Sequence, residues 1–334
     1  MRPYTFNMIP ETWLITGGAG YIGSHIADAF LSQGKSIVIY DSMKNGLESR
    51  VNYLRMKHHV QIPLIEGDIR HQQDFTNSLE KYRPYGVIHT AALKSVSESI
   101  KNPDVYFEVN DLATSQIIES VESFEINHFI FSSSAAVYGS PNQNSPIKES
   151  DKTNPISPYG RSKLSAEKAV NKFLSTPANY GASLRFFNVV GTSSPQLIDN
   201  STENLVPIVL DRILSRKQPI VFGSDYPTPD GTCVRDYVDV RDIARAHLAV
   251  ADCRFKLPDA LNVGTGLGAS VLEVIDLIGN AAGKSDINIL KQGRRLGDSA
   301  KLLADVKLIK EKLGFSTTYS LEESIKGLIS TSLS

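Results

Sequence analysis

The chain has 334 residues, of which 41% are hydrophobic and 21% are charged, and its mean hydropathy is −0.16. These values are typical of a globular protein with one large or two ordinary domains, and they exclude disordered and fibrous classes. Lysine plus arginine number 35 against 36 for aspartate plus glutamate, so the net charge is −1. This balance argues against nucleic acid or an anionic membrane as the partner and favours a small molecule.

The two cysteines, Cys233 and Cys253, are too few for a disulfide framework and lack the paired spacing of a zinc site. No metal is therefore expected, and a reducing compartment fits best. No apolar run approaches the roughly 18 residues of a membrane span, and residues 1–10 lack the apolar core of a signal peptide. The sequence predicts a cytoplasmic protein.

Short apolar, β-rich runs alternate with amphipathic stretches through the first half of the chain. The runs stand at residues 13–15, 36–40, 86–89, 128–131 and 182–187. Because they are continuously apolar, both faces of each strand are expected to be covered, as in a parallel sheet flanked by helices. The pattern predicts a Rossmann-type, doubly wound α/β fold.

A stretch rich in proline, serine and asparagine at residues 188–203 interrupts this alternation and predicts a domain boundary. We expect a nucleotide-binding domain over residues 1–187 and a smaller α/β substrate domain over residues 188–334. A helix pattern followed by an apolar run within residues 236–263 predicts that this segment rejoins the first domain.

The glycine-rich sequence TGGAGYIG at residues 16–23 follows the first predicted strand and precedes a helix pattern. Glycine permits the tight turn and lets a pyrophosphate approach the helix N-terminus, where unpaired N–H groups favour anions. Asp41 ends the second strand, 18 residues after Gly23. A carboxylate there accepts hydrogen bonds from both ribose hydroxyls and repels a 2′-phosphate, so the spacing predicts NAD rather than NADP.

Tyr159 and Lys163 are four residues apart and share a helix face if a helix begins near Pro158. Such a pair is common on exposed helix surfaces, so the pair alone does not indicate a site. The serine run at residues 132–134 favours chemistry, because it ends a parallel strand, where ligands of open α/β sheets bind.

These motifs, together with DGTCVRDYVDV at residues 230–240, resemble the extended short-chain dehydrogenase/reductase superfamily, and within it the UDP-glucose (UDP-galactose) 4-epimerases. The resemblance runs from about residue 12 to residue 328. It implies that Tyr159 is the base, that Lys163 binds the nicotinamide ribose and lowers the tyrosine pKa, and that Ser134 hydrogen-bonds the sugar O4. It also implies that hydride leaves C4 for NAD and returns to the opposite face of the rotated 4-keto sugar.

Several alternatives remain beside UDP-glucose 4-epimerisation. UDP-N-acetylglucosamine or a UDP-pentose could be the substrate instead, and a noncatalytic NAD-sensing protein is a third possibility, for which loss of Tyr159 or Lys163 would be expected. Nucleotide-sugar dehydratases are similar in fold but carry an acid pair after the serine. This chain has Ala135 and Ala136 there, so dehydration is not expected.

The resemblance also implies residue sets for the two ligands. The cofactor set is Gly17, Gly20, Tyr21, Ile22, Gly23, Asp41, Ser42, Asn45, Gly46, Asp68, Ile69, Thr90, Ala91, Ala92, Lys94, Ser132, Tyr159, Lys163 and Phe187. The UDP-sugar set is Lys94, Ser134, Tyr159, Asn188, Asn204, Leu205, Val221, Phe222, Arg235, Arg295, Asp298 and Leu302.

Two positions depart from the family pattern. Val109 stands where the family often has an asparagine near NAD, although Asn110 is adjacent, and Leu302 stands where a bulky tyrosine lies beside the sugar. The resemblance further implies a homodimer formed through helices expected at residues 103–124 and 158–174.

Overall fold

The computed structural model describes residues 11–141, 145–200, 204–284, 286–295 and 298–332. The prediction about a leader falls on residues 1–10, and the end of the predicted boundary stretch falls on residues 201–203; both lie outside the described residues. The strands are β1 Thr12–Thr16, β2 Ser36–Asp41, β3 Leu64–Glu66, β4 Gly86–His89, β5 His128–Ser134, β6 Tyr180–Phe186, β7 Asn188–Val190, β8 Ile220–Phe222, β9 Val234–Asp239, β10 Ala260–Val263, β11 Gly268–Ser270, β12 Leu290–Gln292 and β13 Lys301–Leu302.

The helices lie between these strands and after them. They are α1 Tyr21–Ser32, α2 Glu48–His58, α3 Gln72–Tyr82, α4 Val96–Lys101, α5 Pro103–Phe107, α6 Ala113–Ser123, α7 Pro158–Leu174, α8 Leu205–Leu214, α9 Val240–Asp252, α10 Val271–Ala281, α11 Lys307–Leu313 and α12 Leu321–Ser332. A π-helical turn at Glu108–Leu112 joins α5 to α6, and short 3₁₀ helices lie at Ala135–Tyr138 and Pro195–Leu197. Within the described ranges, no helix has both the length and the apolarity needed to cross a membrane.

Seven parallel strands form the main sheet, in the order β10-β6-β5-β4-β1-β2-β3. The order reverses between β1 and β4, which is the position where ligands bind in open α/β sheets. β10 pairs with β6 although the two are far apart in sequence, and α9 packs beside α1 in the same core. The doubly wound α/β fold predicted from the sequence is confirmed.

Both faces of this sheet are covered, which explains the continuous apolarity of its strands. Trp13 and Ile15 of β1 pack on one side with Phe30 of α1, whereas Leu14 packs on the other side with Phe173 of α7. All five side chains are at most 1% exposed. Burial of this extent supplies the main stabilising free energy of the fold and fixes α1 and α7 on opposite faces.

The remaining elements form a smaller unit at the carboxyl edge of the sheet. β9 pairs with β7, β11 and β13, and β8 pairs with β12. A separate apolar core lies among α8, α10 and α12. This unit faces the ends of the strands that carry the predicted motifs.

Candidate active site

The glycine-rich turn leaves no room for side chains at two of its positions. A Cβ on Gly23 would stand 2.1 Å from the carbonyl oxygen of Gly17, and a Cβ on Gly17, whose φ is +69°, would stand 2.7 Å from the amide nitrogen of Ala91. The turn therefore brings bare backbone to the N-terminus of the 12-residue helix α1. This cradle fits the pyrophosphate of a dinucleotide.

Tyr21 and Ile22 begin α1. The Tyr21 side chain is turned into the protein, where its hydroxyl donates to the carbonyl oxygen of Gly191 at 2.6 Å and its ring packs edge-on against His25. A pyrophosphate at this helix end would thus meet the backbone N–H groups of these residues rather than the Tyr21 phenol.

Asp41 lies at the end of β2, beside the glycine turn. Its carboxylate accepts hydrogen bonds from the N–H of Ala19 and of Met43, each at 3.0 Å, and burial raises its pKa. The loop that follows carries Ser42, Asn45 and Gly46 and folds tightly around Asp41, since a Cβ on Gly46 would stand 2.7 Å from the Asp41 Oδ1. Each carboxylate oxygen keeps acceptor capacity for a further donor, such as a ribose hydroxyl.

Asp68 and Ile69 follow β3. Arg70 forms a bidentate ion pair with Asp68 through its Nε and Nη2, at 3.0 and 2.7 Å, and Lys44 adds a third contact at 3.2 Å. Hydrogen bonding by Arg70 holds the pKa of Asp68 well below its usual range. Ile69 is buried in the apolar core.

The loop after β4 contains Thr90, Ala91, Ala92 and Lys94, and it lies against the glycine turn. The Thr90 hydroxyl donates to the carbonyl oxygen of Thr16 at 2.5 Å, and the Ala91 N–H donates to the Thr16 hydroxyl at 3.3 Å. The loop is therefore tied to the end of β1.

Asn110, which the sequence motifs did not predict as a site residue, holds the same loop from the other side. It bonds to both backbone groups of Leu93 and donates to the Ser162 hydroxyl at 3.1 Å. The π-helical turn directs Asn110 inward, whereas Val109 is partly buried and packs against the apolar core. The amide next to Val109 is thus the one that faces the cofactor loop, and the sequence carries no signal that singles it out.

Tyr159 and Lys163 lie in the first two turns of α7. Ser157 caps this helix by accepting from the Gly160 N–H at 3.0 Å, and Pro158 occupies its first position. The Lys163 ammonium is buried and donates to the carbonyl oxygen of Ser132 at 2.9 Å. Burial lowers the pKa of Lys163 to about 7.

Ser134 ends β5 and hydrogen-bonds Tyr159. Burial raises the pKa of the Tyr159 phenol, and the Ser134 hydrogen bond opposes this effect only in part. Desolvation of a phenolate outweighs one hydrogen bond unless a further positive charge lies nearby. The lowering of the Tyr159 pKa that the resemblance attributes to Lys163 stays a prediction.

Arg235, Arg295 and Asp298 belong to the smaller unit, Arg235 on β9 and the other two in the segment between β12 and β13. Arg235 donates to the carbonyl oxygen of Ser299 at 2.8 Å and lies 3.4 Å from the Asp298 carboxylate, and Arg295 stacks over the Phe222 ring at 3.9 Å. Two guanidinium groups from separate segments can clamp a diphosphate by charge-assisted hydrogen bonds.

Among the other predicted substrate residues, Asn204 and Asn188 are polar, whereas the side chain of Val221 is buried. Asn204 and Leu205 begin α8, and the Asn204 amide donates to Asp199 at 2.6 Å; Asp199 also lies 3.7 Å from the Lys94 ammonium. Asn188 is exposed on β7. By contrast, the Val221 side chain is fully buried in the core of the smaller unit, so only its backbone is available to a ligand.

Leu302 lies on β13, in register with Arg235 of β9. It is partly buried against an apolar cluster that contains Phe187 and Ala135, the residue after Ser134. Leu303, next in the chain, is buried. Leu302 therefore borders the region between Arg235 and the serine run, where a sugar would lie.

A parallel sheet of this order, with a glycine-rich first turn and a tyrosine, lysine and serine at its carboxyl edge, defines a Rossmann-type enzyme of the short-chain dehydrogenase/reductase class. The family model described as GDP-mannose 4,6 dehydratase matches residues 14–328. The chain belongs to this family.

Similar proteins include a UDP-glucose 4-epimerase from Rhizobium leguminosarum bv. trifolii, which is 37% identical over 96% of each chain. The solved structure of UDP-glucose 4-epimerase from Brucella ovis in complex with NAD is 37% identical, covers 95% of this chain and 96% of its own, and has a TM-score of 0.86. That of UDP-glucose-4-epimerase from Stenotrophomonas maltophila, with bound NAD and formylated UDP-arabinopyranose, is 33% identical, with coverages of 97% and 98% and a TM-score of 0.89.

Proposed function

We propose that this chain is an NAD-dependent nucleotide-sugar 4-epimerase, an isomerase whose principal substrates are UDP-glucose and UDP-galactose. The observation that carries this proposal is the meeting of Tyr159, Lys163 and Ser134 at the carboxyl edge of β5, next to the glycine-rich turn. The names of the similar proteins support it. The presence of both Tyr159 and Lys163 argues against a noncatalytic NAD sensor.

The residues around the glycine turn would hold NAD. The backbone at Gly20, Tyr21 and Ile22 would receive the pyrophosphate, and Asp41 would receive the ribose hydroxyls of the adenosine half. Asp68 and Ile69 would flank the adenine side, and Phe187 and Ser132 would border the nicotinamide half. A bound NAD would supply the hydride acceptor for the sugar C4.

The protein's own groups move the proton. Tyr159 accepts the proton of the C4 hydroxyl and later returns it to O4 when the 4-keto sugar is reduced on its opposite face, and Ser134 holds the sugar O4 beside the phenol. Lys163 supplies a buried positive charge near the phenolate as it forms. General base catalysis of this kind typically contributes about 10²- to 10⁴-fold to the rate.

The family described by its model also contains dehydratases, which eliminate water from the sugar. Elimination needs an acid and a base after the serine, and the chain offers the apolar pair Ala135 and Ala136 instead. Ala135 is buried in an apolar cluster. We therefore place this chain with the epimerases.

The sugar nucleotide lies across the smaller unit. Arg235 and Arg295 bind the diphosphate, Phe222 and the Val221 backbone line the base, and Asn188 and Asn204 orient the sugar-proximal part. Residues 188–334, apart from the segment 236–263 that rejoins the first domain, accordingly form the substrate domain, and residues 1–187 with 236–263 form the NAD domain. A second substrate class, UDP-N-acetylhexosamines or UDP-pentoses, is favoured by Leu302, whose side chain is smaller than tyrosine.

We propose a homodimer that forms through α4 to α7. The support is the number of exposed apolar side chains in this part of the chain: Val96, Ile100, Val105, Leu112 and Ile156 are 42 to 63% exposed. Where such side chains form one contiguous patch, they are typical of protein interfaces. Ile100→Glu should convert a dimer to a monomer in light scattering, whereas Leu267→Glu, at an exposed apolar position elsewhere, should not.

The cytoplasm is the proposed location. Cys233 and Cys253 are both buried and free, which suits a reducing compartment.

The function is tested by incubating the purified protein with UDP-galactose without added NAD. Formation of UDP-glucose, together with NAD in the supernatant of the denatured protein, is the expected result. A requirement for added NADP, or no conversion of any UDP-sugar, would refute the proposal.

A further inference from the structure

Glu167 is a buried carboxylate one turn beyond Lys163 on α7. Tyr159, Lys163 and Glu167 are spaced four residues apart, so they share one face of the helix. Glu167 is 2% exposed. A carboxylate buried to this extent needs partners, because the desolvation of an unpaired charge costs several kcal/mol.

The partners of this helix face are the three consecutive serines of β5. The Tyr159 phenol hydrogen-bonds Ser134, and the Lys163 ammonium donates to the Ser132 carbonyl oxygen. The Ser133 hydroxyl donates to the Glu167 Oε1 at 2.6 Å. Each turn of the helix is thus fastened to one residue of the serine run.

Arg185 of β6 completes the Glu167 contact. Its Nε and Nη2 donate to the two carboxylate oxygens of Glu167 at 2.9 and 2.7 Å, a bidentate geometry. Arg185 lies beside Ser133 in the strand register, so Ser133, Arg185 and Glu167 form one closed group.

The same guanidinium reaches past the serine run. The Arg185 Nη1 donates to the Tyr138 hydroxyl at 2.8 Å, and that hydroxyl donates to the Asn262 Oδ1 at 2.7 Å. Tyr138 ends the 3₁₀ helix that begins immediately after Ser134. Arg185 therefore holds the chain on both sides of Ser134.

We propose that Glu167 and Arg185 are positioning residues for the epimerisation: they fix Ser134 and Tyr159 relative to each other and balance the charge that surrounds Lys163. This inference rests on the proposed function. Lys163 and Arg185 carry two positive charges and Glu167 one negative charge, so the buried group has a net charge of +1 when Lys163 is protonated. A phenolate at Tyr159 would neutralise it.

The histidines and the other tyrosines around Lys163 and Glu167 carry no charge near neutral pH. Burial lowers the pKa of His89 on β4 to about 3 and that of His247 on α9 to about 4, which keeps both rings neutral. Burial raises the pKa of Tyr138 to about 12 and raises the pKa of Tyr106, whose ring packs edge-on against Tyr159. Glu149, beyond Arg185, is the next carboxylate; burial raises its pKa.

The test is Glu167→Gln in the complete protein with its bound NAD. This change keeps an oxygen for Ser133 and Arg185 but removes the negative charge. Loss of a neighbouring negative charge lowers the pKa of both Lys163 and Tyr159, so the pH profile of kcat should move to lower pH. We expect kcat at the wild-type optimum to fall on the order of 10-fold with KM nearly unchanged, because Glu167 does not touch the sugar nucleotide.

Two further variants separate this role from a structural one. Glu149→Gln removes a nearby carboxylate that forms no hydrogen bond with α7 among the described residues. This variant should keep the wild-type pH profile of kcat. The double variant Glu167→Met with Arg185→Met replaces the ion pair by apolar side chains, a change that buried pairs often tolerate in stability. It should retain NAD and a wild-type melting temperature within a few degrees, but lose kcat at least as strongly as Glu167→Gln.

An unshifted pH profile in Glu167→Gln, or wild-type kcat in the double variant, would overturn the inference. So would failure of both variants to retain NAD and fold, because the pair would then be structural only. If the wild-type protein itself epimerises no UDP-sugar, the proposed function is refuted. If the wild type is active and the variants keep its pH profile and kcat, only the positioning role is refuted.

Discussion

Asn110 satisfies both backbone polar groups of Leu93: its Oδ1 accepts from the Leu93 N–H at 2.8 Å and its Nδ2 donates to the Leu93 carbonyl oxygen at 2.9 Å. Asn110 is 1% exposed and lies on a π-helical turn, a feature frequent at functional sites. It also contacts Ser162 of α7. One side chain therefore links the cofactor loop to the helix that carries Tyr159 and Lys163.

Replacing Asn110 by Ala should loosen NAD binding by about 10-fold, because two partly buried backbone groups would lose their partner at a cost of about 1–3 kcal/mol. The NAD content of the purified protein and its affinity for added NAD measure this effect. Val109→Ala is the matched control, since it removes only apolar contacts and should lower stability without releasing NAD. Equal NAD retention in both variants would show that Asn110 does not hold the loop for the cofactor.

Asp41→Ala should weaken NAD more than NADP, because the carboxylate that bonds the ribose and repels a 2′-phosphate is lost. Dissociation constants for both dinucleotides, measured on protein stripped of cofactor, test this preference. Glu66→Ala is the control: Glu66 lies beside Asp41 in the β2–β3 register but is exposed. A parallel loss of both affinities in Asp41→Ala would mean that Asp41 only supports the glycine turn through the Ala19 N–H.

Tyr159→Phe should keep the fold and the bound NAD yet lose on the order of 10²-fold or more in turnover, since the proton acceptor is gone. Ser134→Ala should cost less. Tyr106→Phe removes the hydroxyl of the ring packed against Tyr159 and should retain most of the activity. Turnover of UDP-galactose by each variant gives the comparison, and near-normal turnover in Tyr159→Phe would remove the phenol from the mechanism.

Four of the seven histidines have a pKa lowered mainly by burial: His25, His128 and His247 to about 4, and His89 to about 3. In the unfolded chain a histidine has a pKa of about 6.5. Between these values the unfolded chain binds protons that the folded protein does not. The contribution of these neutral histidines to the free energy of unfolding is therefore fully present above pH 6.5, and it is lost as the pH decreases toward 4.

His128→Phe tests this dependence, because a phenylalanine ring can keep the stack between Tyr85 and Tyr180, now at 4.3 and 5.2 Å from the imidazole. The free energy of unfolding, measured with urea, should be lower at pH 5 than at pH 7 in the wild type. This decrease should be about 2 kcal/mol smaller in the variant. His71→Gln, at an exposed position, should leave the difference unchanged. The same difference in His128→Phe as in the wild type would contradict the buried neutral state.

The sequence predicted the main sheet because continuous apolar runs have a direct cause, burial on both faces, as Trp13 and Leu14 show. It also predicted the glycine turn and the position of Tyr159 and Lys163 on one helix face. The short strands of the smaller unit, such as the two-residue β13, could not be predicted, since their pairing depends on β9 rather than on their own composition.

The hydrogen-bond networks around the site could not be predicted from the sequence either. The contacts of Asn110 with Leu93 and of Glu167 with Arg185 join residues on different elements, and a single sequence gives no signal for such tertiary pairs. The desolvation that raises the pKa of Tyr159 likewise depends on the packed structure and has no signal in the sequence.

Leu302 is the residue on which the sugar specificity should depend. It lies opposite Arg235 in the strand register and against the cluster of Phe187 and Ala135, whereas Leu303 is the neighbour that fills the core. A leucine is shorter than the tyrosine of the familiar hexose enzymes, so space for an N-acetyl group is expected beside C2 of the sugar.

The wild-type protein should therefore epimerise UDP-N-acetylglucosamine measurably as well as UDP-glucose. Leu302→Tyr should suppress the N-acetyl substrate selectively, because a steric clash without a compensating contact is worth the few kcal/mol that separate such substrates. Leu303→Met, a volume-conserving change in the adjacent core position, should affect both substrates alike. The ratio of kcat/KM for the two sugars is the measurement. A wild type that ignores N-acetylated sugars, or a Leu302→Tyr variant that loses both activities equally, would leave UDP-glucose as the only substrate class and assign Leu302 to packing.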